Sequence, residues 1–209
     1  MKNYTAVVRF FASASLFAAL ASAQSVDAFI GLGTAMAPSS NVGTDTFGTG
    51  TIFYPPRLGG LFAKTGATFM VTPHFGVGGE LSWRPSRGNY DGLDYRPLFY
   101  DFNAVWHPIA SRERRLVPEL QAGLGGMNMR FYETQQLCDN FAGCSTASAF
   151  IESSNHFQAH FGAGLKVYFH KGFYLKPQAD VHYVHNLFQF GTSWVPEVGG
   201  VIGYTFGGR

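Results

Sequence analysis

The sequence has few charged residues and, after residue 23, no apolar run long enough to cross a bilayer as a helix. Asp, Glu, Lys and Arg together make up 13% of the chain, and no window of about 18 consecutive apolar residues is present. Because no basic tract could follow a phosphate backbone, we expect no nucleic-acid partner. The second absence excludes a helical membrane protein but leaves open a membrane protein built from strands.

Residues 1–23 have the three parts of a signal peptide, so we exclude them from the fold. Lys2 and Arg9 form a basic start, residues 10–20 an apolar stretch, and residues 21–23 a small-residue cleavage site. The prediction is an exported mature chain, residues 24–209, that forms one domain. Of the 15 basic residues, 13 remain without Lys2 and Arg9, and they equal the 13 acidic ones.

The sequence is rich in glycine and aromatic residues, and these follow a period of two. There are 26 glycines and 16% aromatic residues, too aromatic for disorder and too rich in glycine for an ordinary helical domain. In residues 156–169 every odd position from Phe157 to Phe169 is apolar, whereas the even positions carry His, Gln, Gly, Lys and Tyr. This alternation predicts a β-strand with two chemically different faces.

The same alternation recurs and predicts eight strands. Their connections are alternately long and short, which is typical of a barrel that spans a membrane. A bulge is a possible reason why the pattern breaks at Gly125–Gly126. The predicted strands are residues 27–36, 61–71, 75–84, 96–107, 118–124, 156–169, 173–183 and 194–206, and the long connections include 37–59, 85–95 and 133–154.

The chemistry of the two faces predicts which face meets lipid. An eight-stranded barrel has an interior only wide enough for side chains, so the bulky residues of one face would overfill it, and glycine relieves crowding only where it points inward. We therefore predict an all-β, eight-stranded antiparallel up-and-down transmembrane β-barrel with Phe161 toward lipid and His160 inside. Trp83 and Trp106 should lie in opposite interfacial girdles.

This pattern resembles the small eight-stranded outer-membrane β-barrels of the OmpA transmembrane-domain type and the wider outer membrane protein β-barrel domain group. The resemblance covers the whole mature chain and lies in its architecture. The family's last strand ends in an aromatic residue that the barrel-assembly machinery reads; here residues 200–206 are GVIGYTF, and Gly207–Arg209 follow. The resemblance implies a place in the bacterial outer membrane, contact with its lipid, and assembly by that machinery.

The inward face of the predicted strands carries nine ionisable residues. Charges in so narrow an interior must be paired or hydrated. We predict an interior polar network of salt bridges, and the resemblance adds a narrow gated conduit as the functional alternative. The residues are Lys64, Glu80, Arg84, Asp101, Glu119, Lys166, Lys176, Asp180 and Glu197.

Two inward histidines are placed to face each other. If Gly172 is left-handed in a three-residue turn, residues whose numbers sum to 342 are opposite, which pairs His160 with His182. Facing imidazoles would hold Zn²⁺ or Cu²⁺ only with a third ligand. Hydrogen-bonded interior histidines are therefore the preferred interpretation, with a metal site as the weak alternative and no cofactor predicted.

The same register brings two lysines together. Lys166 lies opposite Lys176, which is unfavourable unless an acid lies between them. Asp180, on the same strand face as Lys176, is the predicted acid.

Cys138 and Cys144 are the only cysteines and lie in the predicted loop 133–154. An exported chain folds where disulfides persist, and two cysteines in one loop have only each other. We predict a Cys138–Cys144 disulfide, because two thiolates alone supply half of a tetrahedral metal site.

No nucleotide-binding or hydrolase motif is present, so we predict no enzymatic activity. The leading interpretation is an outer-membrane barrel with a structural or interaction role, which presents long loops to an extracellular partner and has at most a narrow polar conduit. Two alternatives stay open. A lipid-modifying barrel enzyme would use Ser153, Ser154 and His156 near a strand end, and a secreted soluble barrel of lipocalin shape would bind a small ligand.

Overall fold

The computed structural model describes residues 25–109, 115–139 and 143–207; the predicted signal peptide lies outside them. One 3-10 turn, Phe188–Phe190, precedes the last strand. The described part of the chain contains no helix with the length and hydrophobicity of a membrane span. The strands are β1 (Ser25–Ala35), β2 (Phe62–Met70), β3 (Phe75–Trp83), β4 (Gly88–Tyr90), β5 (Leu93–Trp106), β6 (Leu116–Asp139), β7 (Gly143–His170), β8 (Phe173–Val184) and β9 (Trp194–Phe206).

Eight of these strands close into a ring. Each wall strand is antiparallel to its neighbours, and β1 pairs with β9 from Val26–Phe206 to Ala35–Glu197. The short β4 is the exception, because it pairs back on the start of β5 and β3 pairs directly with β5. The predicted eight-stranded antiparallel up-and-down barrel is confirmed.

The wall has polar side chains inside and apolar side chains outside. In β7, Phe161 is 53% exposed and Leu165 38%, whereas His160 and Lys166 are 0% and 1% exposed. A soluble barrel of lipocalin shape needs the opposite arrangement, with its apolar residues inside. The outer surface of this wall is suited to lipid.

Aromatic side chains lie at both ends of the outer surface. Trp106 stacks on Phe75 at one end, with ring centroids 6.4 Å apart, and Trp194 contacts Tyr183 at the other, at 5.0 Å. Trp83 ends β3, whereas Phe75 begins it, so Trp83 and Trp106 lie at opposite ends as predicted. We call the end near Trp106 the short-turn end and the end near Trp194 the long-loop end.

The β6 strand reverses its apolar face partway along its length. Leu120 and Leu124 point outward and are exposed, but nearer the long-loop end Met127 and Met129 are fully buried inside, while Arg130 is exposed outside. The pairing with β5 and β7 continues through this point without interruption. The bulge considered at Gly125–Gly126 is therefore wrong: the surroundings of the strand change there, not its register.

The β6–β7 hairpin is much longer than the wall. Its strands pair as far as Asp139–Gly143, whereas β5 leaves β6 at Tyr132 and β8 leaves β7 at Gln158. The prediction of a loop over residues 133–154 is wrong, because most of that stretch is two-stranded sheet. We call residues 133–139 and 143–151 the ribbon; it extends about 20 Å past the wall at ~3.3 Å per residue.

Candidate functional site

The barrel interior carries two layers of charged side chains, and each member is at most 6% exposed. Eight of the nine predicted network residues lie in these layers. The Lys64 layer consists of Lys64, Glu80, Asp101, His160, Asp180, His182 and Glu197, and the Glu119 layer of Asp27, His107, Glu119, Lys166 and Lys176.

Lys64 is the centre of its layer. Its Nζ lies 2.7 Å from Glu80 Oε1, 2.8 Å from Asp180 Oδ2 and 3.3 Å from Glu197 Oε1. One ammonium group thus faces carboxylates from β3, β8 and β9. Because a buried charge must be compensated, Lys64 holds these three strands together across the barrel.

The two histidines stack in the same layer, in the register that the β7–β8 turn predicts. Their ring centroids are 4.7 Å apart and their planes differ by 13°. His160 lies between two carboxylates, 3.4 Å from Asp101 Oδ1 and 3.3 Å from Asp180 Oδ1, and His182 Nε2 lies 3.2 Å from Glu197 Oε2. No group of three or more His, Cys, Asp or Glu among the described residues has an arrangement that could hold a metal ion.

The second layer is built around a carboxylate. Glu119 Oε2 lies 2.6 Å from Lys166 Nζ, and Oε1 lies 2.7 Å from Lys176 Nζ. Lys166 Nζ is also 2.5 Å from Asp27 Oδ2, and His107 Nε2 is 3.0 Å from Glu119 Oε2. Each ammonium group is therefore paired with at least one carboxylate.

The acid between the two lysines is not the predicted one. Asp180 binds Lys64 in the other layer, so the prediction that it separates Lys166 from Lys176 is wrong. Glu119 reaches the pair from β6, where Gly164 of β7 lies directly opposite it. A Cβ at Gly164 would lie 3.0 Å from the Lys176 side chain, so the glycine leaves the space in which Lys176 meets Glu119.

The two layers differ in formal charge. The Lys64 layer has four carboxylates and one lysine, whereas the Glu119 layer has two of each. Neutral donors supplement the first layer: Gln178 Nε2 lies 2.8 Å from Asp180 Oδ2, Gln121 Nε2 lies 3.2 Å from Asp180 Oδ1, and Ser82 Oγ donates to Glu197 at 3.0 Å. These bonds stabilise carboxylates that one lysine cannot neutralise.

Arg84, the ninth predicted residue, joins neither layer. It lies at the long-loop end, where Nη1 donates to Tyr95 Oη at 2.9 Å and the guanidinium carbon lies 5.4 Å from the centroid of that ring. Asp27 and His107 were left out of the predicted network, although the alternation of their strands points both inward. That alternation is the signal that could have found them.

The long-loop end of the barrel is filled by a hydrophobic cluster that sequence reasoning missed. We call it the plug. Its Phe99 ring lies 4.8 Å from the His182 ring, so the plug rests directly on the Lys64 layer. Its buried members are Ala35, Ala37, Leu58, Phe62, Tyr90, Tyr95, Phe99, Met127, Met129, Phe131, Val184, Leu187, Phe190 and Val195, and Phe47 and Phe53 pack against them.

Tyr90 joins the plug to two connections. Its hydroxyl donates to the carbonyl oxygen of Gln189 at 2.6 Å and lies 3.0 Å from Thr46 Oγ1. Because the phenol has one proton, the Thr46 hydroxyl is the donor in the second bond. Burial raises the pKa of Tyr90 above its ordinary 10.0, so the hydroxyl is protonated at neutral pH.

Ser154 and His156 form a pair at the rim of the barrel. His156 Nε2 lies 3.0 Å from Ser154 Oγ, and Nδ1 lies 3.3 Å from the carbonyl oxygen of His185. Since a carbonyl only accepts, Nδ1 carries the proton and Nε2 accepts from Ser154. Both side chains lie on the inner face of β7, whereas Ser153 is exposed on the other face.

The ribbon brings the two cysteines together in register. Cys138 is directly opposite Cys144, and facing residues of an antiparallel pair have Cβ atoms about 4.5–5.5 Å apart. The disulfide stays a prediction, for which these positions are suitable.

Comparison with known proteins places the fold. No protein-family model matches the sequence, and no curated protein sequence matches it. Among solved structures, Neisserial surface protein A has a TM-score of 0.54 at 11% identity, over 86% of this chain and 96% of its own. The N-terminal β-barrel domain of Pseudomonas aeruginosa OprF has 0.51 at 16% identity, over 88% and 98%, and the outer membrane protein OprG of that organism 0.52 at 12%, over 89% and 97%. The chain has the fold of the small outer-membrane β-barrels. Within this fold, the charged layers, the plug and the ribbon are the features that bear on function.

Proposed function

We propose that the chain is an integral protein of the bacterial outer membrane that serves as a rigid platform for an extracellular partner. The ribbon carries this proposal. It continues to Asp139–Gly143 although its flanking strands stop at Tyr132 and Gln158. A barrel that served only as an anchor would not need a hairpin about 20 Å longer than its wall.

The outer surface supports placement in the membrane. Exposed Leu, Phe and Val side chains cover the wall between the two aromatic ends, as contact with outer-membrane lipid requires. The last strand ends with Tyr204 and Phe206, whose rings are 4.7 Å apart. An aromatic end of this kind supports recognition by the barrel-assembly machinery.

The filled interior supports a platform rather than a conduit. The charged layers pair side chains across the barrel, and the plug occupies the long-loop end with apolar groups. Ions would have to cross that apolar section, where a charge has no partner. We expect no steady conductance from the protein in a planar lipid bilayer, and well-resolved open channels would contradict the platform.

Side-chain contacts connect the base of the ribbon to the wall. The guanidinium carbon of Arg87 lies 4.1 Å from the Tyr132 ring centroid, and Nη1 contacts Asp94 at 3.4 Å and Ser148 Oγ. At the same level Phe150, opposite Tyr132, packs its ring against Tyr132 at 6.0 Å between centroids and is still 58% exposed. Among the described strands, none pairs with β7 on its β8 side over residues 143–155, and such an edge can accept an extended segment of a partner.

Site-specific photo-cross-linking tests the proposal. A photoreactive residue at Phe150 should give protein adducts on intact cells in the partner's presence, whereas the same residue at the lipid-facing Phe161 should give lipid adducts. A shortened chain, in which Asn-Gly joins Tyr132 to Phe150, should keep the heat-modifiable gel migration of a folded barrel and lose the adducts. Lipid adducts from position 150, or a Phe150→Cys variant that an impermeant maleimide cannot label on intact cells, would contradict it.

The Ser154–His156 bond favours a second candidate, a lipid-modifying hydrolase. The pair has the nucleophile–base geometry of ester hydrolysis. His156 Nδ1, however, donates to the carbonyl oxygen of His185 and not to a carboxylate. Hydrolysis of p-nitrophenyl acyl esters that is lost in Ser154→Ala and kept in Ser153→Ala would support this candidate. Equal rates in the two variants would eliminate it.

A further inference from the structure

A concave pocket of about 470 Å³ opens at the long-loop end, between the β1–β2 and β8–β9 connections. Its volume is within the ~300–1,000 Å³ that small-molecule sites occupy. It is separate from the ribbon and from the charged layers. Ser40 and Thr44 line it from one connection, and Asn186, Phe188, Thr192 and Ser193 from the other.

The lining combines apolar and polar groups, and none of its described side chains is charged. Val42, Leu187 and Phe188 supply apolar surface. Hydroxyl and amide groups that can donate and accept hydrogen bonds come from Ser40, Thr44, Ser193 and Asn186, whereas the Thr192 hydroxyl already bonds the Trp194 backbone. Ser40 Oγ accepts from the Val42 amide at 3.1 Å, so its proton is available to a ligand. Asn186 is exposed, and Thr44 and Ser193 are half-buried at the opening. This set suits a ligand with many hydroxyl groups and no charge.

Phe188 provides an aromatic surface in the same pocket. Its ring is 46% exposed, although the residues on both sides of it, Leu187 and Gln189, are buried. The His156 ring meets it nearly edge-on, with centroids 6.3 Å apart and planes at 72°. The buried neighbours and this contact hold the ring in place.

The backbone of the β8–β9 connection is fixed where the pocket needs it. Asn186 and Gly191 have left-handed φ values of 57° and 65°, which set the two ends of the 3-10 turn. A Cβ at Gly191 would lie 2.7 Å from Ser40 Cβ. Glycine therefore permits the close approach of the two connections that forms the pocket.

We propose that this pocket binds a neutral saccharide. A sugar ring has C–H groups on one face, which can stack on Phe188, and hydroxyl groups around its edge, which can bond Ser40, Thr44 and Asn186. Because no charged side chain among the described residues lines the pocket, a phosphorylated or sulfated ligand would lose its hydration without an ion pair. The proposal adds a ligand to the platform function. It depends on the platform function in one respect: the orientation of the platform decides on which side of the membrane the pocket opens.

The position of the pocket allows two sources of the saccharide. Ser193 is followed directly by Trp194, which contacts Tyr183 at the long-loop end of the outer surface. Aromatic residues at this depth mark the headgroup level. The saccharide is therefore either the headgroup of an outer-leaflet glycolipid or a free glycan that reaches the surface.

Saturation-transfer NMR on the detergent-solubilised protein tests binding, with glucose, galactose, mannose, N-acetylglucosamine and lactose as probes. At least one sugar should bind. Phe188→Ala should weaken its binding about tenfold, which corresponds to ~1.4 kcal/mol, and Thr44→Val, which only removes a hydroxyl, about threefold. The matched control, Phe173→Ala, removes a similarly exposed ring (42%) at the short-turn end, far from the pocket, and should leave the Kd unchanged.

Heat-modifiable migration shows whether each variant is folded. Binding of none of the five sugars, or equal binding by folded Phe188→Ala and wild type, overturns the proposal. Nanodiscs distinguish the sources: in the first case lipopolysaccharide, but not phospholipid alone, blocks the added sugar, and in the second the sugar binds equally in both. Sugar binding in detergent together with a ribbon that impermeant reagents cannot reach on intact cells would keep the pocket and overturn the platform's orientation.

Discussion

The barrel has two sections that bury opposite kinds of side chain. Where the outer surface is apolar, the interior holds the Lys64 and Glu119 layers; nearer the long-loop end, Arg130 lies outside and Met129 inside. The strands and their register continue unchanged from one section to the other. The difference teaches that the medium outside the wall determines which side chains fill the interior. Where lipid surrounds the wall, the polar side chains point inward; where water surrounds it, the apolar side chains point inward and form an ordinary core.

The largest expected effect is in the membrane section. Lys64→Met leaves Glu80, Asp180 and Glu197 facing one another without their cation, and should lower the free energy of unfolding by ~3–5 kcal/mol. Urea titration in lipid vesicles measures it. Lys171→Met, the same substitution at an exposed turn residue, should change it by less than about 0.5 kcal/mol. Equal effects would mean that the Lys64 layer does not hold the barrel together.

A matched pair of substitutions on the outer face of β6 locates the boundary between the sections. Leu124→Arg places a charge in lipid and should cost ~2–4 kcal/mol. Asn128→Arg, four residues nearer the long-loop end, loses only the side-chain hydrogen bonds to Asn155 and Arg130 and should cost about 1 kcal/mol. The same vesicle titration measures both. Similar costs at the two positions would show that the boundary between the two sections does not lie between residues 124 and 128.

Among the described strands the two arms of the ribbon pair only with each other, and Thr134 and Ser148 near its base contact Asp94 and Arg87. If the predicted Cys138–Cys144 bridge is present, its reduction should lower the free energy of ribbon opening by ~2 kcal/mol and leave the unfolding of the barrel nearly unchanged. Amide hydrogen exchange at residues 133–137 measures the first quantity. Alkylation of two thiols on native, unreduced protein would eliminate the bridge.

The smallest expected effect is in the plug. Tyr90→Phe removes the bond to Gln189 and should cost ~1 kcal/mol at neutral pH. Because burial raises the folded pKa of Tyr90 above 10.0, the stability from its protonated form is fully present below pH 10.0 and is lost as the pH rises through the folded pKa. Between pH 8 and pH 11 the free energy of unfolding should therefore fall less steeply with pH in Tyr90→Phe than in the wild type. Identical slopes for the two proteins would contradict burial of the hydroxyl.

Strand alternation was enough to predict the membrane section. Period two orients Phe161 and His160 whatever their neighbours, and the turn with Gly172 at φ 95° set the partner of His160. Alternation failed to identify the acid between Lys166 and Lys176. That contact depends on which side chain of a third strand fills the space beside a glycine, and a pairwise register does not contain this information.

The section in water was predicted poorly for a different reason. In this section the inward-pointing strand residues are apolar and the outward-pointing ones are polar, which is the reverse of the membrane section. A prediction that follows one apolar face therefore ends the β6 strand at Leu124. Phe47, Phe53 and Leu58 lie in the β1–β2 connection, which has no periodicity. They become part of a core only because this connection folds back over the long-loop end of the barrel. The sequence predicts a loop where the ribbon lies, because two solvated faces leave no alternation to detect.

The interior ion pairs also set the order of assembly. Lys64 and Asp180 are 116 residues apart, Lys166 and Asp27 are 139 apart, and the Thr205–Asp27 hydrogen bond spans 178. None of these bonds can form until the last strands arrive beside the first, so an incomplete barrel in the bilayer would expose Asp27 without Lys166 or Thr205, and would leave Lys64 with Glu80 of the adjacent strand but without Asp180. Contacts of such long range form late and together. The polar interior thus favours the complete barrel over incomplete ones, because the interior charges are fully paired only after β1 and β9 have paired.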